Sequence, residues 1–212
     1  DGTAAFTFGG WGKTTDGKFN APQGLALDES NGELYVTDLA AFDDGSNGVA
    51  AGAKVQVFDL NGTYKRSFGT YGSGDGKLIR PLGIAVDGAG KVYITDAYQA
   101  VVHVFDGYGA SLETIYDLAH PLKTPIGIAL GKDNRLFVAS SNGPAVEVFG
   151  LPGYTALGVS PASLSFVVSE GGGNPASRSI TVSNGGSGTL DWTAAADKSW
   201  ISLAQATGTA GA

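Results

Sequence analysis

The stretch GELYVTD, Gly32 to Asp38, decides the fold, because the chain says nearly the same thing twice more: GKVYITD at Gly90–Asp96 and NRLFVAS at Asn134–Ser140. Each heptamer sits in a longer repeated phrase. The first unit reads GKFNAPQGLALDESNGELYVTD (residues 17–38), then, after an insertion, AKVQVFDLNGTYKRSFG (53–69). The second reads GKLIRPLGIAVDGAGKVYITD (76–96), then AVVHVFDGYGASLETIY (100–116). The third reads LKTPIGIALGKDNRLFVAS (122–140), then PAVEVFGLPG (144–153). The anchors align as Pro22, Pro81 and Pro125; Asp38, Asp96 and Ser140; Phe58, Phe105 and Phe149. FTFGG (residues 6–10) matches RSFGT (66–70), so it reads as the end of a preceding unit. Alternation of apolar and polar residues, as in KVQVFD, gives strands with two distinct faces. Each full unit supplies four short strands, and a spacing near 44 residues with four strands per unit is the signature of a propeller blade. One such sheet cannot bury both faces alone; stacking on its neighbours stabilises it.

Composition agrees with an all-β chain. Gly accounts for 34 of 212 residues, interleaved with the strand formers Val, Ile, Tyr, Phe and Thr. The net charge of −7 and the lack of a basic stripe argue against nucleic acid as a partner. No apolar run approaches the roughly 20 residues of a membrane helix. With no Cys, disulfides, thiolate metal sites and Cys nucleophiles are all excluded.

The phrase P-x-G-[IL]-A-[VL]-D…Y-[VI]-T-D…V-x-V-F-D, carried by Pro22–Asp59 and Pro81–Asp106, resembles the NHL repeat family over about residues 4–153. That resemblance implies a β-propeller, usually six-bladed; here three blades and a fragment are visible, so further residues or other chains are expected to complete a ring. After Gly153 the texture changes. SPASLSF, RSITVSNGGSGTLDW and SWISL resemble the Ig-like BACON domain over residues 157–208, extended here to 212. The expected division is therefore 1–153 for propeller blades and 154–212 for an Ig-like β-sandwich, apparently incomplete, with Trp192 and Trp200 as its core anchors. BACON modules accompany carbohydrate-active proteins, so the resemblance implies carbohydrate binding and an extracellular, bacterial setting.

No G-x-S-x-G elbow, H-E-x-x-H or phosphate loop is present. His103 falls on a polar strand face, at the position of Gln56 and Glu147, and His120 sits in a loop before Pro121. Asp38 and Asp96 are expected to accept hydrogen bonds from the backbone N–H groups of the next loop, and Ser140 to do so more weakly. Asp28 and Asp87 open tight turns. The insertion after Asp38 carries Asp43, Asp44 and Asn47, hard oxygen ligands that make Ca2+ the one candidate metal; no other cofactor is implied.

Parity then places the function. With four up-and-down strands per blade, the short turns gather at one end, and the insertion and blade-to-blade connections at the other. That second end carries Trp11, Phe42, Tyr71, Tyr98 and His120. Exposed aromatics on loops held by a rigid scaffold form a recognition surface. The expectation is a non-catalytic extracellular binding scaffold contacting a protein or glycan, with copies associating into an oligomer, fibre or surface layer. The competing expectation is a metal-assisted propeller lyase or hydrolase acting on small substrates.

Overall fold

Each unit begins with Pro, which lacks an N–H and is tolerated at the start of an edge strand. A computed structural model describes residues 3–12, 15–39 and 53–211. The first sheet is a meander of β1 (Pro22–Asp28), β2 (Glu33–Asp38), β3 (Lys54–Asp59) and β4 (Tyr64–Phe68), in that order. A short parallel pair, β5 (Thr70–Tyr71) and β6 (Lys77–Leu78), belongs to the connection that follows. The second sheet repeats the meander with β7 (Pro81–Val86), β8 (Val92–Asp96), β9 (Val101–Phe105) and β10 (Ser111–Ile115). The third has three strands, β11 (Pro125–Leu130), β12 (Arg135–Ser140) and β13 (Ala145–Gly150). Leu25 pairs with Val36, Ile84 with Ile94 and Ile128 with Val138, so the three first strands hold matching registers. In each case the register shifts just after the leading Pro.

Aspartates set the tight turns. Asp59 Oδ1 accepts the N–H groups of Asn61 (2.9 Å) and Thr63 (2.8 Å), and Asp106 Oδ1 those of Tyr108 and Ala110 (both 2.9 Å). In the third unit Gly150 stands where Asp59 and Asp106 stand in the others. The carboxylate that would fold the third strand back into a fourth is missing there.

The blades stack in chain order, with β7 lying against both β1 and β11. Two residue types make this close approach possible. Thr37 Oγ1 accepts the N–H of Gly24 (2.8 Å) in its own blade and donates to the carbonyl of Leu82 (2.9 Å) in the next. Thr95 repeats the arrangement, accepting from Gly83 N–H (2.8 Å) and donating to Ile126 O (3.4 Å). Gly24 and Gly83 leave room for those carbonyls. A Cβ at Gly83 would lie 2.6 Å from Ile126 O, and one at Gly24 would overlap Leu82 O. Between the sheets lie Tyr35, Val55, Val57, Phe68, Ile84, Val92, Ile94 and Phe105, all buried.

A second repeated contact joins the outer strands. Phe68, closing β4, packs on Phe105 of the next blade (ring centroids 5.3 Å) and over Gly109. Phe8 does the same to the first blade, meeting Phe58 at 5.0 Å and lying over Gly62. The following residues also correspond: Trp11 bridges Phe19 in parallel as Tyr71 bridges Leu78. The segment around Phe8 therefore holds the place of a preceding blade's fourth strand.

The described residues fall into two compact units, one from residues 1–130 and 136–148, the other from 131–135 and 149–212. In the second, β14 (Leu157–Ser160) pairs with β15 (Thr181–Asn184), and β16 (Leu190–Thr193) with β17 (Thr207–Ala210). Trp192 is half-buried over Gly208, as expected of an anchor. Trp200 is not an anchor: it lies exposed in a turn outside the ladders, where no facing sheet covers it.

Gly83→Ala should destabilise the first unit by about 2 kcal/mol or more, because the neighbouring carbonyl is backbone and cannot step aside. Gly88→Ala, at a position with nothing within 4 Å, should have little effect. Urea unfolding of the two variants checks this.

Candidate binding surface

Strand order places the β8–β9 and β12–β13 connections and the described blade-to-blade connections at one end of the stack. Buried carboxylates hold the backbone there. Asp38 Oδ1 accepts the N–H groups of Asn20 (3.1 Å) and Ala21 (2.8 Å). Gln56 is buried beside it, donating to Asp38 Oδ2 (3.3 Å) and Lys18 O (2.7 Å) and accepting from Gly17 N–H (2.9 Å). In the next blade Asp96 Oδ2 accepts from Ile79 (2.7 Å) and Arg80 (3.1 Å), and Oδ1 from Tyr98 and Gln99 (both 3.0 Å). The sequence reading had these aspartates gripping the following loop. Asp96 does so and also grips the preceding blade-to-blade connection; Asp38 grips the preceding connection, most of the loop after it lying outside the described residues. Ser140 keeps a reduced version, accepting from Lys123 N–H (3.3 Å) and donating to Glu147 (3.0 Å). His103, in the place of Gln56, is buried between Gln99 and Thr114, and burial pushes its pKa down.

Trp11, Tyr71, Tyr98 and His120, the described candidate residues, sit on these connections. Trp11 is 75% exposed and Tyr71 49%, at equivalent places in successive blade-to-blade connections. Tyr98, 72% exposed, lies in the β8–β9 connection beside the N–H that Asp96 holds. His120, in the third connection, is exposed and meets Asp117 at 3.0 Å, a contact that holds the Asp117 carboxyl below its ordinary range. Among the described residues no ring contact joins Trp11, Tyr71 and Tyr98; they are separate points on one end. Phe42, Asp43, Asp44 and Asn47 lie outside the described residues. Among the described residues no three His, Asp or Glu side chains gather as a metal site would require.

A charged cluster at the opposite end escaped the sequence reading. Arg66 Nη1 and Nη2 donate to Glu33 Oε1 (2.8 Å) and Oε2 (2.6 Å), and its Nε (3.1 Å) and Nη2 (2.6 Å) to Gly107 O of the next blade. Lys65 also donates to Glu33, as does the Tyr35 hydroxyl (2.9 Å). Tyr108 lies over the guanidinium at 5.4 Å, and a cleft of about 330 Å3 opens beside the group. The signal was a charge reversal: Lys91 and Glu113 occupy in the second blade the places of Glu33 and Arg66. Arg66 holds the Glu33 carboxyl at about 2, while burial and the neighbouring Glu33 push Tyr35 up to about 12. A carboxylate so tightly engaged is a poor proton acceptor near neutral pH. Its evident role is to tie two blades together.

Comparison with known proteins agrees with both halves of the chain. Residues 156–212 match the family model described as the viral BACON domain. The E3 ubiquitin-protein ligase NHLRC1 of Rattus norvegicus is 32% identical over 107 residues, 50% of this chain and 23% of that protein. The chain carries NHL-type propeller blades followed by a BACON domain. The protein brain tumor of Drosophila melanogaster is 25% identical over 144 residues, 67% of this chain and 12% of that protein. The chain thus spans less than a quarter of the length of these relatives. Among solved structures, the nidogen/laminin complex aligns with a TM-score of 0.50 at 17% identity, covering 63% of this chain and 44% of that one, which shows the fold alone. The class is all-β, propeller blades plus an Ig-like domain.

Because the folded-state pKa of Glu33 lies below its ordinary 4.5, the carboxylate stabilises the fold above that value and loses the contribution as pH falls toward 2. Glu33→Gln should cost about 2 kcal/mol at pH 7 and flatten the loss of stability between pH 5 and 2. Urea unfolding across that range reads both effects.

Proposed function

We propose that this chain is a non-catalytic binding scaffold acting outside the cell, contacting a protein or glycan through the long-connection end of its blades. The carrying observation is that the exposed aromatics stand on connections whose backbone is held by buried Asp38 and Asp96. Such tethering lowers the entropy lost on binding, and an aromatic ring offers both apolar area and a stacking face. The BACON domain supports the same reading as a spacer or sugar binder. Its family is described as viral, so a viral source stands beside the bacterial one expected from the sequence. Association of copies belongs to this proposal.

The test is a glycan array, with immobilised mucin included, probed with the chain and with Trp11→Ala and Tyr98→Ala. Both side chains are exposed, so melting temperatures should stay within about 1 °C. Binding by the chain, weakened roughly tenfold in at least one variant, is the expected result. Binding unaffected in both variants contradicts the site. No binding, together with hydrolysis of a small ester or lactone on adding divalent metal, favours the enzyme reading instead.

A further inference from the structure

Two features of the first unit are complementary. The third sheet stops at β13, with Gly150 in place of the turn-forming aspartate, so among the described residues β13 has no fourth strand beside it. Its outward side chains Val146 and Val148 are exposed, whereas their counterparts Val55, Val57, Val102 and Val104 are buried. Conversely, the segment around Phe8 occupies a fourth strand's place against the first blade, yet residues 4–10 carry no ladder pairing. Phe6 and Phe8 stand two residues apart with their rings at 6.3 Å, as neighbours on one side of an extended strand do.

The register of the missing pair follows from the first blade. There Val55 pairs with Phe68 and Val57 with Arg66. By the repeat, Val146 would face the half-buried Phe8 and Val148 would face Phe6, so the exposed Val148 and Phe6 cover one another and Val146 is covered by Phe8. The face behind them is also prepared. Gly127 stands where Gly24 and Gly83 admit the next blade's carbonyl, but a Cβ there would meet only Ala139 at 3.5 Å. The three blades among the described residues are too few to close a propeller, and no described segment covers the free edge of β13.

We infer that a second copy of this chain supplies the strand. The Phe6–Gly9 segment of each copy adds to β13 of the other, antiparallel, and the two copies close a head-to-tail ring of six blades. The new interface continues the one the chain already makes between its own blades, with the same strand addition and the same Phe contact. A head-to-tail contact of this kind generates a ring when its rotation closes. This deepens the self-association within the proposed function and needs no ligand, so it fails or stands separately from the glycan result.

The test is sedimentation velocity on the 212-residue chain, paired with the double variant Phe6→Cys/Val148→Cys. Both positions are exposed, and the chain has no other Cys. The expected species has twice the 21.4 kDa chain mass, and mild oxidation of the double variant should give a covalent dimer that reduction separates. Either single variant should give no such product. A monomer, an open polymer, or a disulfide closed within one chain would overturn the inference.

Discussion

Everything in the propeller unit depends on how near one sheet's backbone can come to the next. Thr37 and Gly24 solve this together, as do Thr95 and Gly83: glycine removes the Cβ that would strike the neighbouring carbonyl, and threonine hydrogen-bonds to the carbonyl admitted into that space. A buried carbonyl without a donor carries a desolvation penalty of about 1–3 kcal/mol, so the hydroxyl is as necessary as the gap. The apolar packing of Tyr35, Val57, Phe68 and Ile94 follows from that spacing. At the short-turn end Arg66 makes the same kind of link with charge, reaching Gly107 O while Glu33 neutralises it.

Much of this was legible in the sequence because it repeats. The alternation in KVQVFD and the thrice-used heptamer give strands, their order and the registers centred on Leu25, Ile84 and Ile128. What could not be read was any role that exists only between blades. Thr37 looks like one more strand former until the Leu82 carbonyl is placed beside it. Asp38 looks like a cap for the loop after it, yet its described backbone donors, Asn20 and Ala21, precede it, because successive blade-to-blade connections fold back over the strand end. The Glu33–Arg66 pair lies 33 residues apart and departs from the repeat, so a search for what the units share passes over it.

In the C-terminal unit the signal was compositional rather than periodic, and it was correspondingly less exact. Trp192 sits over its partner strand, where alternation places it; Trp200 lies exposed in a turn outside the ladders. For the candidate surface, parity alone identified which end holds the variable connections. The physical reason those connections can present side chains is the buried polar layer beneath them, in which Asp96, Gln99 and His103 of the second blade take the parts of Asp38 and Gln56 in the first.

The most direct measurement of the inter-blade clamp compares Thr37→Ala and Thr95→Ala with Ala139→Thr by urea unfolding at a concentration where the chain is monomeric. The account predicts a loss of about 1–3 kcal/mol for Thr37→Ala, a smaller loss for Thr95→Ala in keeping with its longer bond, and almost none for Ala139→Thr, where no following carbonyl is present. Equal, small effects at all three positions would contradict it, and would leave the stacking of the blades to apolar contact alone.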